Sequence, residues 1–223
     1  MPSTVRGSLR AVNGVYDQRV SGRNEVGVTA FVLAGGRSSR MGSDKAFLRL
    51  GDDTLLSRAL KSARAVAGEV RIVGDAKKFA DYGRVVEDVY HGQGPLGGIH
   101  AALSGSATEL NLILAVDLPF IGPKLLKYLL LRAREPGAMI TVPRAAGVLQ
   151  PLCGAYRREF AKVAEESLRQ GENKIDSLFA RVGTRLIEEN ELVRAGFSAD
   201  MFRNVNTPEE LEEANSLRSG WEP

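Results

Sequence analysis

Apolar runs and amphipathic segments alternate along most of this chain. The run VTAFVL begins at Val28 and is followed by two glycines, a pattern typical of a buried parallel strand that ends in a loop. Thr54 can cap a helix whose apolar positions recur at near-helical spacing, namely Leu55, Leu56, Ala59, Leu60, Ala63 and Ala67. The run NLILAV at residues 111–116 predicts the clearest central strand.

Shorter segments complete the predicted order of elements. They predict three further strands, at residues 70–73, 84–87 and 138–142. Two more helices are predicted, over residues 96–103 and 123–134. The remainder predicts a strand, two helices, a weak strand near residues 184–188, and a terminal helix opened by Thr207-Pro208-Glu209. This alternation indicates an α/β, three-layer, doubly wound and mostly parallel sheet in a single domain.

In sheets of this kind, ligands bind at the carboxyl ends of the strands. Two loops rich in glycine and charge follow Leu33 and Val116. Because both follow predicted parallel strands, we expect them to lie at the same edge of the sheet.

Composition sets the domain boundaries and narrows the class of partner. The chain has 223 residues, 43% of them hydrophobic, which suits one globular domain. Its formal charge of +3 lies in residues 1–24, where four arginines and one aspartate give 4 − 1 = +3, and residues 25–223 sum to zero. We therefore expect a flexible leader at 1–24, a folded domain at 25–218, a tail at 219–223, and no nucleic-acid partner.

The single cysteine, Cys153, excludes an internal disulfide framework and has no neighbours at metal-ligand spacing. We interpret it as a small core residue in a buried strand, and His91 and His100 as loop and helix-surface residues without a catalytic role. No apolar run approaches the ~20 residues that span a bilayer. A cytoplasmic protein without a membrane partner is expected.

The loop after the first strand has the composition of a polyphosphate site. It reads LAGGRSSRMGSDK over residues 33–45. Gly35 and Gly36 lack a Cβ, so their amides can come close to phosphate, and Arg40 and Lys45 add positive charge. Lys45 is followed by alanine and the glycines have the wrong spacing, so this is neither a P-loop nor a dinucleotide motif. A tight turn is the simpler alternative.

This string resembles the loop L-A-[AG]-G-x-x-x-R-M-G-x-x-K of a nucleotidyltransferase family, and most closely that of the molybdenum cofactor guanylyltransferases. The resemblance spans residues 27–217 through further motifs: ED at 87–88, GPLGGI at 94–99, DLP at 117–119, QPLCGAY at 150–156 and NVNTPEEL at 204–211. It implies a Rossmann-like nucleotidyltransferase fold. It also implies transfer of GMP from GTP to the phosphate of molybdopterin, with release of pyrophosphate.

Such a transfer builds negative charge on the α-phosphate and on the leaving pyrophosphate, so it needs positive groups in fixed positions. Lys45 can supply one, and Asp117, directly after the central strand, can hold Mg²⁺. A helix cap or a turn before Pro119 is the alternative for Asp117. The resemblance adds Arg40 as a third catalytic residue.

The resemblance also implies the binding residues. Those for the nucleotide are Leu33, Ala34, Gly35, Gly36, Lys45, Asp88, Gly94, Pro95, Leu96 and Asp117. Those for the acceptor are Arg40, Gln150, Asn204 and Asn206. Two of these have simpler alternatives: Asp88 as a solvated loop residue, and Asn206 as the cap of the last helix.

One position departs from the family pattern. Close relatives often carry an asparagine after the second strand, whereas Gly74 and Asp75 stand there in this chain. Asp75 can accept hydrogen bonds but cannot donate them as an amide would. GTP remains favoured because LAGG and GPLGG resemble the guanylyl branch.

Two alternatives stay open: a transferase of the same fold that uses CTP or a sugar phosphate, and a non-catalytic cofactor-binding adaptor. The partners expected are GTP, molybdopterin, and a molybdoenzyme or cofactor-delivery protein.

Overall fold

A computed structural model describes residues 25–35 and 44–217, and the statements below concern those residues. The predicted leader at 1–24 and tail at 219–223 lie outside them, as do the candidate residues Gly36 and Arg40.

Ten strands and eight α-helices make up the described chain. The strands are β1 (Glu25–Leu33), β2 (Arg49–Leu50), β3 (Asp53–Thr54), β4 (Ala67–Val73), β5 (Arg84–Val86), β6 (Leu110–Ala115), β7 (Ile140–Ala145), β8 (Val148–Leu149), β9 (Cys153–Arg157) and β10 (Thr184–Ile187). The helices are α1 (Leu55–Arg64), α2 (Ala76–Phe79), α3 (Gly94–Ser104), α4 (Pro123–Ala133), α5 (Phe160–Arg169), α6 (Asp176–Phe179), α7 (Glu189–Arg194) and α8 (Pro208–Leu217). Short 3₁₀ turns occur at Lys45–Phe47, Ala80–Tyr82 and Ala199–Phe202.

The main sheet has the strand order β10-β7-β9-β6-β1-β4-β5, with β8 paired to β7, and β2 and β3 form a separate hairpin. Strands β5, β4, β1 and β6 are mutually parallel. Strand β9 runs antiparallel between β6 and β7. The predicted α/β class and mostly parallel sheet are confirmed.

Helices cover both faces of the sheet, as predicted. Alternate residues of β1 point to opposite sides, so Ala30 and Val32 join the core beneath α1 and α4. Phe31 and Leu33 join the core beneath α3 and α5. This burial on both faces explains why β1 reads as a continuous apolar run.

Helix α1 begins where the apolar pattern predicts but ends earlier than predicted. Thr54 caps it by accepting a hydrogen bond from the Ser57 amide at 3.1 Å, as predicted. The helix ends at Arg64, however, and Ala67 is the buried first residue of β4. A small apolar residue suits either buried environment, so periodicity alone misplaced Ala67.

The prediction that His100 lies on a helix surface was wrong. Only 7% of this residue is exposed, because α3 packs against both the sheet and α5. Its Nε2 lies 3.1 Å from Ser104 Oγ, and the Tyr90 ring packs edge-on against it. Burial lowers the pKa of His100 below its ordinary value.

The core placement predicted for Cys153 is confirmed. The residue is fully buried in β9, and burial raises the pKa of its thiol far above the ordinary range, so the thiol stays protonated. Among residues 25–35 and 44–217, no helix combines the length and apolar character needed to cross a membrane.

Candidate active site

Three of the predicted side chains meet at the carboxyl edge of β1 and β6. The Lys45 ammonium lies 3.6 Å from Asp117 Oδ2 and donates a hydrogen bond of 2.5 Å to Asn206 Oδ1. The side chains of Lys45 and Asp117 are 21% and 25% exposed, so the cluster is partly desolvated yet open to a ligand. We call this group the Lys45–Asp117–Asn206 cluster.

Lys45 is held by the short turn in which it lies. Asp44 caps that 3₁₀ turn, because its Oδ1 accepts a hydrogen bond from the Ala46 amide at 3.2 Å. Ala46 is fully buried and anchors the turn in the core. The backbone of Lys45 is therefore fixed while its side chain extends to the sheet edge.

Asp117 follows the fully buried strand β6. Its carbonyl accepts a hydrogen bond of 2.9 Å from the Val205 amide, which ties it to the C-terminal segment. Helix α4 begins at Pro123 with Gly122 at its cap position, so Asp117 does not cap that helix. The carboxylate is left facing Lys45.

Asn206 is presented to Lys45 because another residue caps α8. Thr207 Oγ1 accepts from the Glu210 amide, while Glu210 Oε2 accepts from the amides of Thr207 and Asn206, a reciprocal capping box. The alternative in which Asn206 is the cap is therefore wrong. Asn204 is exposed on the same segment, on the other side of the buried Val205.

The loop of residues 33–45, which we call the glycine loop, is held by hydrogen bonds at the point where it leaves β1. The amides of Ala34 and Gly35 both donate to the carbonyl of Val73 in β4, at 3.0 and 3.2 Å. The Gly35 amide therefore has a backbone partner in β4, and nucleotide binding by this glycine stays a prediction. Leu33 and Ala34 are buried and Gly35 is exposed.

Asp88 lies against the first turns of α3. Its Oδ1 accepts from the Tyr90 amide at 2.8 Å, and a Cβ added to Gly97 would come within 2.8 Å of its Oδ2. Asp88 is therefore partly buried, and the reading as a simply solvated loop residue is wrong. Gly94 and Pro95 are exposed at the start of α3, and Leu96 is buried.

Gln150 reaches the same edge of the sheet through β9. The Ala115 amide donates to the carbonyl of Leu152 at 2.8 Å, so the start of β9 lies beside the end of β6. The backbone of Gln150 bonds to Pro143 and Cys153. Gln150 thus sits at the edge that carries Asp117.

Sequence reasoning missed two polar contributors near Lys45. Asp44 belongs to the loop at residues 33–45, and an aspartate directly before a turn is a capping signal that could have identified it. Lys78, in α2, forms an ion pair with Asp44 across 2.9 Å. No local pattern in the sequence links these two residues.

Residues 30–186 match the family described as MobA-like NTP transferase domain, which is more than half of the chain. The chain belongs to the MobA-like NTP transferase family. This confirms the resemblance drawn from the motifs and places the protein among the nucleotidyltransferases.

Individual members of the family support this assignment. A protein of Pelotomaculum thermopropionicum called "Probable molybdenum cofactor guanylyltransferase" is 38% identical over 191 residues, covering 85% of this chain and 92% of its own length. The molybdenum cofactor guanylyltransferase of Desulfosudis oleivorans is 32% identical, covering 85% of this chain and 95% of its own. The crystal structure of molybdopterin-guanine dinucleotide biosynthesis protein A from Archaeoglobus fulgidus superposes with a TM-score of 0.75 at 25% identity, covering 86% of this chain and all of that one.

Proposed function

We propose that this protein transfers GMP from GTP to the phosphate of molybdopterin, releasing pyrophosphate and forming molybdopterin guanine dinucleotide. The observation that carries the proposal is the Lys45–Asp117–Asn206 cluster at the carboxyl edge of the sheet. It occurs in a chain whose relatives include molybdenum cofactor guanylyltransferases. The cluster offers one fixed cation, one carboxylate and one amide in the place where such folds bind nucleotides.

Lys45 provides the positive charge that the reaction requires. Negative charge grows on the α-phosphate oxygens and on the leaving pyrophosphate, and a pre-positioned ammonium stabilises it without reorganisation. The contacts to Asp117 and Asn206 hold that ammonium at the sheet edge before substrate binds.

Asp117 suits the Mg²⁺ that the proposal includes. The described residues contain no cluster of three or more His, Cys, Asp or Glu side chains that could hold a metal alone. Mg²⁺ commonly uses one or two carboxylates and completes its shell with water and substrate phosphates, so Asp117, with Asn206 beside it, fits. When bound, the ion would neutralise phosphate charge.

No general base is needed on the acceptor side. A phosphate monoester has a second pKa near ~6 and is largely ionised at neutral pH. This agrees with the positions of the histidines, because His100 is buried under α5 and His91 is exposed in the loop before α3. In the proposal, Gln150, Asn204, Asn206 and Arg40 bind the acceptor.

The nucleotide is proposed to lie between the start of the glycine loop and α3. Leu33, Ala34, Gly35 and Gly36 would line one side, and Asp88, Gly94, Pro95 and Leu96 the other. The close packing of Gly98 on Leu33, where an added Cβ would approach Leu33 Cδ2 to 3.3 Å, joins these two sides. We further propose that the reaction takes place in the cytoplasm and that a molybdoenzyme or a delivery protein receives the product.

Pyrophosphate release with each nucleoside triphosphate tests the proposal. We expect release with GTP, Mg²⁺ and molybdopterin together, and background release when molybdopterin is omitted. Turnover with CTP but not GTP would contradict the guanylyl assignment, and turnover with a sugar phosphate in place of molybdopterin would contradict the acceptor. If pyrophosphate release stayed at background with all four triphosphates, the protein would instead be a non-catalytic cofactor-binding adaptor.

A further inference from the structure

The segment that departs from the family pattern forms a small helix, and the first residue of that segment, Gly74, lies beside Gly35. Asp75 Oδ1 accepts from the Lys77 amide at 2.9 Å and so caps α2. Glu87 Oε1 accepts from the Ala76 amide at 3.2 Å and fastens the start of the helix to the end of β5. The Asp75 carboxylate is thus engaged within its own segment.

Helix α2 contacts both ends of the turn that carries Lys45. On one side, Lys78 Nζ lies 2.9 Å from Oδ2 of Asp44, the residue directly before Lys45. On the other side, the ring of Phe79 lies 5.7 Å from the ring of Phe47, the last residue of the turn. One short helix therefore supports the turn through an ion pair and an aromatic contact.

Gly74 makes room for this arrangement. A Cβ at Gly74 would lie 2.8 Å from Cε2 and 2.9 Å from Cδ2 of the Phe79 ring. Phe79 is 1% exposed, so its ring has little freedom to move away. Gly74 is one of the two residues that stand where close relatives often carry asparagine. Its lack of a side chain therefore permits the contact between α2 and the turn that carries Lys45.

The two oxygens of Asp44 have different partners. Oδ1 caps the turn through the Ala46 amide, and Oδ2 receives the Lys78 ammonium. The hydrogen bond to Asp44 and the charge of that carboxylate raise the pKa of Lys78, so the lysine is protonated at neutral pH. The Lys78 side chain is 52% exposed, so the pair adds little to the free energy of unfolding. The contact does place the capping carboxylate between the turn and α2.

We propose that Lys78 is a positioning residue for Lys45. By fixing the Asp44 carboxylate, it sets the start of the 3₁₀ turn, and with it the place of the Lys45 ammonium beside Asp117 and Asn206. Because the role of Lys45 belongs to the function proposed above, this assignment rests on that proposal. A misplacement of ~1 Å in a reacting group is enough to slow catalysis substantially.

The variant Lys78→Met tests the assignment in the pyrophosphate-release assay with GTP and molybdopterin. We expect kcat to fall about fivefold, the upper end for a partly exposed pair, with KM for GTP nearly unchanged because the triphosphate contacts remain. Lys77→Met is the matched control, since it removes one lysine from the same helix without touching Asp44, and we expect its kcat to stay at the wild-type value. Lys78→Arg should restore most of the rate.

A double-mutant cycle with Asp44→Asn separates positioning from direct binding. The amide oxygen of asparagine can still cap Ala46, but it lacks the charge that Lys78 recognises. If Lys78 acts through Asp44, adding Lys78→Met to Asp44→Asn changes nothing further. A KM for GTP that is higher in the double variant than in Asp44→Asn alone would overturn the assignment, because Lys78 would then be binding the triphosphate itself.

A wild-type kcat in Lys78→Met would overturn it as well. Lys45→Ala in the same assay keeps the two proposals distinguishable. If Lys45→Ala is impaired and Lys78→Met is normal, only the positioning role fails. If Lys45→Ala is nearly normal, the proposed function itself fails.

Discussion

Replacing Lys45 by alanine is expected to lower the rate of pyrophosphate release by at least ~100-fold, the loss typical of removing one fixed electrostatic stabiliser. The ammonium has Asp117 and Asn206 as its partners at the sheet edge, and the Lys45 side chain is only 21% exposed, so bulk water is a poor substitute for this charge. Steady-state kinetics with GTP and molybdopterin measure the effect.

Lys61→Ala is the control for Lys45. Lys61 is an exposed lysine that pairs with Asp53 on the β2–β3 hairpin, so its removal should leave the rate nearly unchanged. A rate for Lys45→Ala close to that of wild type would leave the protein with a binding role only.

Asp117→Asn should also lower turnover by roughly 100-fold, and it should raise the Mg²⁺ concentration needed for half-maximal rate. Asparagine keeps the size of the side chain, and the Asp117 carbonyl can still accept from Val205. The expected loss therefore reports the missing carboxylate charge. Kinetics over a range of Mg²⁺ concentrations measure both quantities.

Asp53→Asn is the matched control for Asp117, because Asp53 pairs with Lys61 on the hairpin. We expect its metal requirement to equal that of wild type. If Asp117→Asn showed the same metal dependence and rate as the unmodified protein, Asp117 would not be the metal ligand.

The sheet edge that carries the cluster could be predicted from the sequence because it depends on local patterns. The runs VTAFVL and NLILAV form β1 and β6, which are adjacent and parallel in register from Val28 and Leu110. The loops after them therefore leave the same edge, and Lys45 and Asp117 meet there. The ends of the strands and the positions of the charged residues were sufficient to predict this part of the site.

The position of Gln150 depends on strand direction, which the sequence does not encode locally. Residues 153–157 read as a buried strand in either direction, and only the sheet shows that β9 runs antiparallel to β6. Its start therefore lies at the carboxyl end of β6, and Gln150 lies with it.

The contacts of Asn206 and Lys78 depend on choices among similar neighbours. Asn206 and Thr207 could each cap the last helix, and Glu210 decides for Thr207 by returning hydrogen bonds to the backbone. Lys78 lies in a helix of only four residues, too short to show periodicity, and its partner is distant in the chain. Tertiary packing determines both contacts.

A crystal structure of the protein with GTP and Mn²⁺ in place of Mg²⁺ tests most directly whether Lys45 and Asp117 act on one nucleotide. We expect the triphosphate at the carboxyl edge of β1 and β6, with Lys45 Nζ within ~3 Å of a phosphate oxygen and the ion, located by its anomalous scattering, bound to the Asp117 carboxylate. A triphosphate bound away from Lys45, or an ion held without Asp117, would contradict the account.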